Sequence, residues 1–166
     1  GPRREQALHS RDRIALRSGS MLHFAYGSNM HRAVMRKHAP QAVALGVAHL
    51  RDYRFIITTD GYASVTAQSG GCVHGLLWQL TARDRIALDR WENITAGLYR
   101  VEMLPVIAAG RRRRALVYVA QAGQRGMPRP GYMEIVIAAA RDWELPADYV
   151  ALLKRWLPKQ PLVERI

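Results

Sequence analysis

Cysteine is nearly absent. Cys72 is the only one in 166 residues, so no internal disulfide framework holds this chain, and a reducing compartment suits it. No apolar run approaches the roughly 18 residues a membrane span needs. No signal-peptide apolar region precedes Met21, so the expected location is cytoplasmic, with no membrane partner. Closely spaced metal ligands are missing too. His9, His23, His31, His38, His49 and His74 form no H-E-x-x-H or similar pairing, and one cysteine cannot build a thiolate cluster. No G-x-G-x-x-G follows a strand, and there is no P-loop and no G-x-S-x-G elbow. What remains is chemistry that uses neither cofactor nor metal.

Acidic residues are also scarce, 13 against 25 basic ones, for a net charge of +12. A basic excess can serve nucleic-acid binding. Here no recognition-helix or RNA-binding signature accompanies it, and much of it is local. Residues 1–20 carry Arg3, Arg4, Arg11, Arg13 and Arg17 against Glu5 and Asp12, and four more charges sit in the run Arg111 to Arg114. That run reads as an Arg-rich hairpin turn, and no nucleic-acid partner is expected. Gly1-Pro2 resembles the scar of a removed tag, and Gly19-Ser20 a cloning junction. Residues 1–20 are therefore expected to be a vector-derived or flexible leader before a single domain at 21–166. Apolar residues at 49% and charged ones at 23% suit a soluble globular chain long enough to bury a core.

The chain from Met21 reads as strand-rich. A short apolar strand, Met21 to Tyr26, breaks at Gly27, and a helix is expected from Met30 to about His38, stopped at Ala39-Pro40. Val43 to His49 and Tyr53 to Thr59 read as strands. Asp60-Gly61 turns into Ala63 to Ala67, and Gly70-Gly71 into Val73 to Leu80. Thr81-Ala82-Arg83-Asp84 caps a helix whose apolar side is Ile86, Leu88 and Trp91, ending near Glu92-Asn93. A long strand then runs through Val101, Leu104 and Val106, and Ala115 to Ala120 returns. After Pro128-Arg129-Pro130-Gly131 come a helix from Tyr132 to about Trp143 and a last one near Pro146 to Trp156. Adjacent strands with flanking helices predict an α+β fold: a small, mostly antiparallel closed β-barrel.

The most telling segment is Phe24-Ala25-Tyr26-Gly27-Ser28-Asn29. A strand that breaks into a helix start gathers free backbone N–H groups, which suits a carboxylate or other anion. Glu92 is a carboxylate at a helix C-terminus, where it opposes the helix dipole, the kind of misfit a functional constraint produces. Tyr99, Tyr132 and the four tryptophans read individually as packing residues, and Cys72 as an inert one.

With these residues in view, the chain resembles the γ-glutamylcyclotransferase family. The resemblance runs from Leu22 to Trp156. It rests on ordered pieces: Phe24 to Asn29, Val73 to Trp78, Leu88-Asp89-Arg90-Trp91-Glu92-Asn93-Ile94, Gly97-Leu98-Tyr99, Pro128 to Tyr132, and Glu144 to Tyr149. It implies a small barrel flanked by helices that converts a γ-glutamyl-amino acid or γ-glutamyl-amine into 5-oxoproline and the free amine, without a cofactor. It further implies that Phe24, Ala25, Tyr26, Gly27, Ser28 and Asn29 hold the glutamyl group. By the same resemblance Glu92 is the general acid/base, and Tyr99 and Tyr132 touch substrate. Two departures stand out: Asn93-Ile94 replaces the frequent Gly-Val after the glutamate, and Asp60-Gly61-Tyr62-Ala63, expected to line the pocket, differs from many relatives. Asn29 where the glutathione-specific branch carries leucine argues for another branch. The competing reading is a non-catalytic interaction protein on the same scaffold, with the Arg111 to Arg114 face meeting an acidic partner.

Overall fold

The computed structural model describes residues 20–92, 97–121 and 124–159. Residues 1–19 of the expected leader, and Asn93 and Ile94 after Glu92, lie outside them. Five strands close into a barrel: β1 (Met21–Ala25), β2 (Val43–Ile57), β3 (Ala63–Leu80), β4 (Tyr99–Ala108) and β5 (Arg111–Ala120), in the order β1-β3-β2-β4-β5. Pairing is antiparallel except where β1 meets β5, parallel at His23 and Leu116. Among the described residues, a 3-10 turn (Ser28–Met30) and four helices, α1 (Arg32–His38), α2 (Ala82–Trp91), α3 (Tyr132–Asp142) and α4 (Ala147–Lys154), flank it. The expected class, an α+β closed barrel with flanking helices, is the class observed.

Two expected pairs of strands are single long strands. Residues 43–49 and 53–59 merge into β2, and 63–67 and 73–80 into β3. The register shift between Arg51 and Tyr53 stands where a break was expected, and a second shift lies between Ala44 and Gly46, inside the first expected strand. Asp52 takes a φ of 63° and Gly70 one of 78°, and the Gly70 N–H donates to Asp52 Oδ1 at 3.0 Å. A bulge bends a strand without ending it, which lets long strands wrap a small barrel.

The arginine run is likewise not a turn. Arg111 to Arg114 open β5 and pair with Pro105 to Ala108. The turn is Ala109-Gly110, with φ of 49° and 73°, the two-residue hairpin that needs positive φ at both positions.

A single buried cluster draws on all five strands, through Phe24, Ile57, Leu76, Val106 and Leu116, and on the helices through Leu88, Met133 and Leu153. The helix placing Glu92 is seated differently from expectation. Ile86 and Trp91 are half exposed, and the buried residues of α2 are Asp84 and Leu88, one turn apart. The Asp84 carboxylate accepts the Gln41 N–H at 2.9 Å, while its own N–H donates to Thr81 Oγ1 at 3.1 Å. A cap tied across to the chain after α1, together with one leucine, fixes the helix.

Candidate active site

β1 ends at Ala25, and Gly27 turns the chain into the 3-10 turn. The close approach of other side chains requires glycine there: a Cβ on Gly27 would lie 2.8 Å from Tyr132 Oη and 3.2 Å from Ala63 Cβ. The Met30 N–H bonds back to the Gly27 carbonyl at 3.1 Å, so the N–H groups of Ser28 and Asn29 have no partner within the turn. Two indoles brace the turn from behind. Trp78 Nε1 donates to the Asn29 carbonyl at 3.1 Å and Trp143 Nε1 to the Met30 carbonyl at 2.7 Å. Their rings meet edge to face.

Glu92 is the C-cap of α2, its N–H donating to the Leu88 carbonyl at 2.8 Å. Sixty-three residues separate it from Asn29, yet Asn29 Nδ2 donates to Glu92 Oε1 at 3.0 Å. Burial pushes the Glu92 carboxyl up from 4.5 to about 7, against the pull of the Asn29 hydrogen bond. The negative end of the helix dipole acts in the same upward direction. Asn29 Oδ1 is buried without a protein partner.

Tyrosines surround this pair. Tyr99 Oη donates to the Ala63 carbonyl at 2.8 Å, and the Ala63 N–H donates to Tyr132 Oη at 3.3 Å, so one residue at the head of β3 fixes both rings. Burial pushes the Tyr132 hydroxyl up to about 12, with hydrogen bonds from Ala63 and Ser28 pulling it down and Glu92 pushing it up. Burial likewise raises the hydroxyl of Tyr99. Tyr26 donates its hydroxyl proton to the Tyr118 carbonyl, and Tyr118 donates its own to Asp89 at 2.6 Å. Tyr26 therefore braces the wall with its hydroxyl already used.

These residues line one cavity of about 400 Å³, a volume within the range of small-molecule sites. Phe24, Ala25, Tyr26, Gly27, Ser28, Asn29, Glu92, Tyr99 and Tyr132 all contribute to it, as do Tyr62 and Ala63 of the segment expected to line the pocket. Glu92 is the only carboxylate among its described lining residues. Among the described residues, no cluster of His, Cys, Asp and Glu is placed to hold a metal, and no helix is long and apolar enough to cross a membrane.

Comparison with known proteins finds relatives in both sequence and fold. The AIG2-like family profile matches residues 72–153. The chain is 27% identical to human γ-glutamylcyclotransferase over 146 residues, covering 81% of this chain and 78% of that one, and 26% identical to the mouse protein over 152 residues, covering 85% and 81%. A solved γ-glutamyl cyclotransferase structure superposes with a TM-score of 0.79 at 25% identity, covering 86% of this chain and 91% of that one. The chain is similar to γ-glutamylcyclotransferases in both sequence and fold. It is an enzyme of that type, and the barrel with its flanking helices is the fold it shares with the solved γ-glutamyl cyclotransferase.

Several residues of this γ-glutamylcyclotransferase-like cavity were not singled out from the sequence. His23, Val34, Lys37, His38, Tyr118 and Ile135 line it, each brought in by strand register or helix docking with no local motif to mark it. Trp91, read as a packing residue, is half exposed at the cavity and stacks on His38 with ring centroids 3.9 Å apart. Its place directly before Glu92 was the available signal. Arg111 to Arg114 do not line the cavity.

Proposed function

We propose that the chain converts a γ-glutamyl-amino acid or γ-glutamyl-amine into 5-oxoproline and a free amine. The substrate's own α-amine attacks its γ-carbonyl, so the nucleophile is already tethered, and the enzyme's part is to hold the reactive conformer. Such fixation is worth several kcal/mol, up to roughly 7–11 in the best intramolecular cases. The new bond joins the α-nitrogen to the γ-carbon, the amide C–N bond breaks, and one proton moves from the attacking to the leaving nitrogen. No water is consumed.

The 3-10 turn and Gly27 cradle the glutamyl carboxylate or steady the oxyanion through backbone N–H groups. Tyr99 and Tyr132 hold their hydroxyls through Ala63 and wall the substrate in, with Phe24, Ala25 and Tyr26 forming the strand side. Glu92 carries the proton: as carboxylate it takes it from the attacking amine, and as acid it delivers it to the departing nitrogen. One observation carries this reading. The cavity holds a single described carboxylate, hydrogen-bonded to the loop residue Asn29, with its pKa pushed to about 7, where one group serves as base and acid in the same turnover.

The test is release of 5-oxoproline from γ-glutamyl compounds by the wild-type chain and Glu92→Gln. We expect a drop on the order of 100-fold or more in kcat, and a wild-type kcat/KM that rises with pH through about 7, the value to which burial raises Glu92. Equal turnover by both proteins removes Glu92 from the role.

A further inference from the structure

The cavity is larger than its cradle. Beyond Glu92 its wall is made by Trp91, Leu98, Ile135 and Tyr62, all exposed by more than a third. Four large apolar side chains left open at the mouth of one cavity mark a binding surface more than chance exposure does. Trp91 is also held in place: its ring lies against the His38 imidazole with the planes 23° apart. Lys37, next to His38 at the end of α1, lines the same mouth and forms no ion pair among the described residues. No arginine is among the described lining residues. Burial and the neighbouring Lys37 both lower the His38 pKa.

We infer that the leaving amine is an α-amino acid with a bulky apolar or aromatic side chain, its side chain against Trp91, Leu98 and Ile135 and its carboxylate facing Lys37. This deepens the cyclisation reading above and rests on it. A γ-glutamyl-amino acid carries two carboxylates. The first belongs to the glutamyl group and goes to the loop at Gly27 to Asn29; the second leaves with the amine, and Lys37 is the cation placed for it. A polyamine or other cationic leaving group meets Lys37 with the wrong sign, and a small amino acid leaves the apolar wall unfilled.

The experiment compares kcat/KM for γ-glutamyl-phenylalanine, γ-glutamyl-alanine and γ-glutamyl-phenethylamine, the last being the first compound without its outer carboxylate, all at low salt. Filling the apolar wall should favour phenylalanine over alanine by about ten-fold. The outer carboxylate should favour phenylalanine over phenethylamine by about five-fold, the most an exposed ion pair commonly gives, with the advantage shrinking as salt is added. In Lys37→Met the second ratio should fall towards one, and in Trp91→Ala the first should fall. Leu98→Ser tests the same wall without removing the contact with His38. Glu92-dependent release with equal rates across the three compounds, or discrimination that survives Lys37→Met and both wall variants, overturns this inference and leaves the cyclisation reading standing. No release from any compound by the folded wild-type chain overturns both.

Discussion

At neutral pH the folded chain holds, in Glu92, a carboxyl group whose proton affinity burial has raised from 4.5 to about 7. In the unfolded chain that group titrates at its ordinary value. Between those two pH values the native state keeps a proton the unfolded state has released, so stability falls as pH rises through that window and levels off above it. The loss reaches up to about 3 kcal/mol, since each pKa unit is worth about 1.4 kcal/mol. Glu92→Gln removes the charge and keeps the size, and its amide can still meet Asn29. The variant should therefore melt several degrees higher than the wild type at pH 8, by the roughly 2–4 °C per kcal/mol expected for a chain of this length, with the gap closing towards pH 5. Melting curves that coincide across this range would mean the carboxyl is not destabilised in the fold. A variant that gains stability while losing turnover is what a site group held against its preference produces.

Elements position this group more than its neighbours in sequence do. The 3-10 turn is three residues long and has no side-chain cap, so it holds little structure of its own. Its rigidity comes from the indoles of Trp78 on β3 and Trp143 after α3, which bond the Asn29 and Met30 carbonyls. Trp78→Phe keeps the ring against Trp143 and removes the donor. It should cost about 1–3 kcal/mol, as expected when a buried carbonyl loses its partner, and should lower kcat about ten-fold because the freed turn no longer holds Asn29 against Glu92. Denaturant unfolding and 5-oxoproline release measure the two effects; stability lost with kcat unchanged would show that the turn does not govern the position of Glu92. The capped start of α2 was readable in Thr81-Ala82-Arg83-Asp84 because a cap is local chemistry. Its burial was not: Asp84 is 2% exposed while Trp91 is 50% exposed, since the seat of the helix depends on the Gln41 N–H of a different segment.

On the scale of the whole molecule, the loop from Phe24 to Asn29 was legible because a strand, a glycine and a polar turn are contiguous. The barrel was legible because strands announce themselves by composition. Tyr118 and Lys37 were not, because only the closure of β1 on β5 and the docking of α1 bring them to the cavity. The arginine run was misread for a related reason: charge suggests a turn, but Ala109-Gly110 already supplies the hairpin geometry, so the arginines fall on the strand. Their placement bears on the +12 net charge. Alternation puts Arg112 and Arg114 on the same side of β5, and both are exposed, adding to the self-repulsion of a chain with few acids. Net charge of one sign destabilises the compact state and salt screens it; the screening length is about 30 Å at 0.01 M and about 8 Å at 0.15 M. Melting temperature should thus rise by a few degrees between 0.01 and 0.15 M salt, and Arg112→Gln with Arg114→Gln should raise it at low salt and flatten the dependence. Because neither residue lines the cavity, 5-oxoproline release should be unaltered by the pair. A melting temperature indifferent to salt would show that this strand's charge is already balanced in the fold.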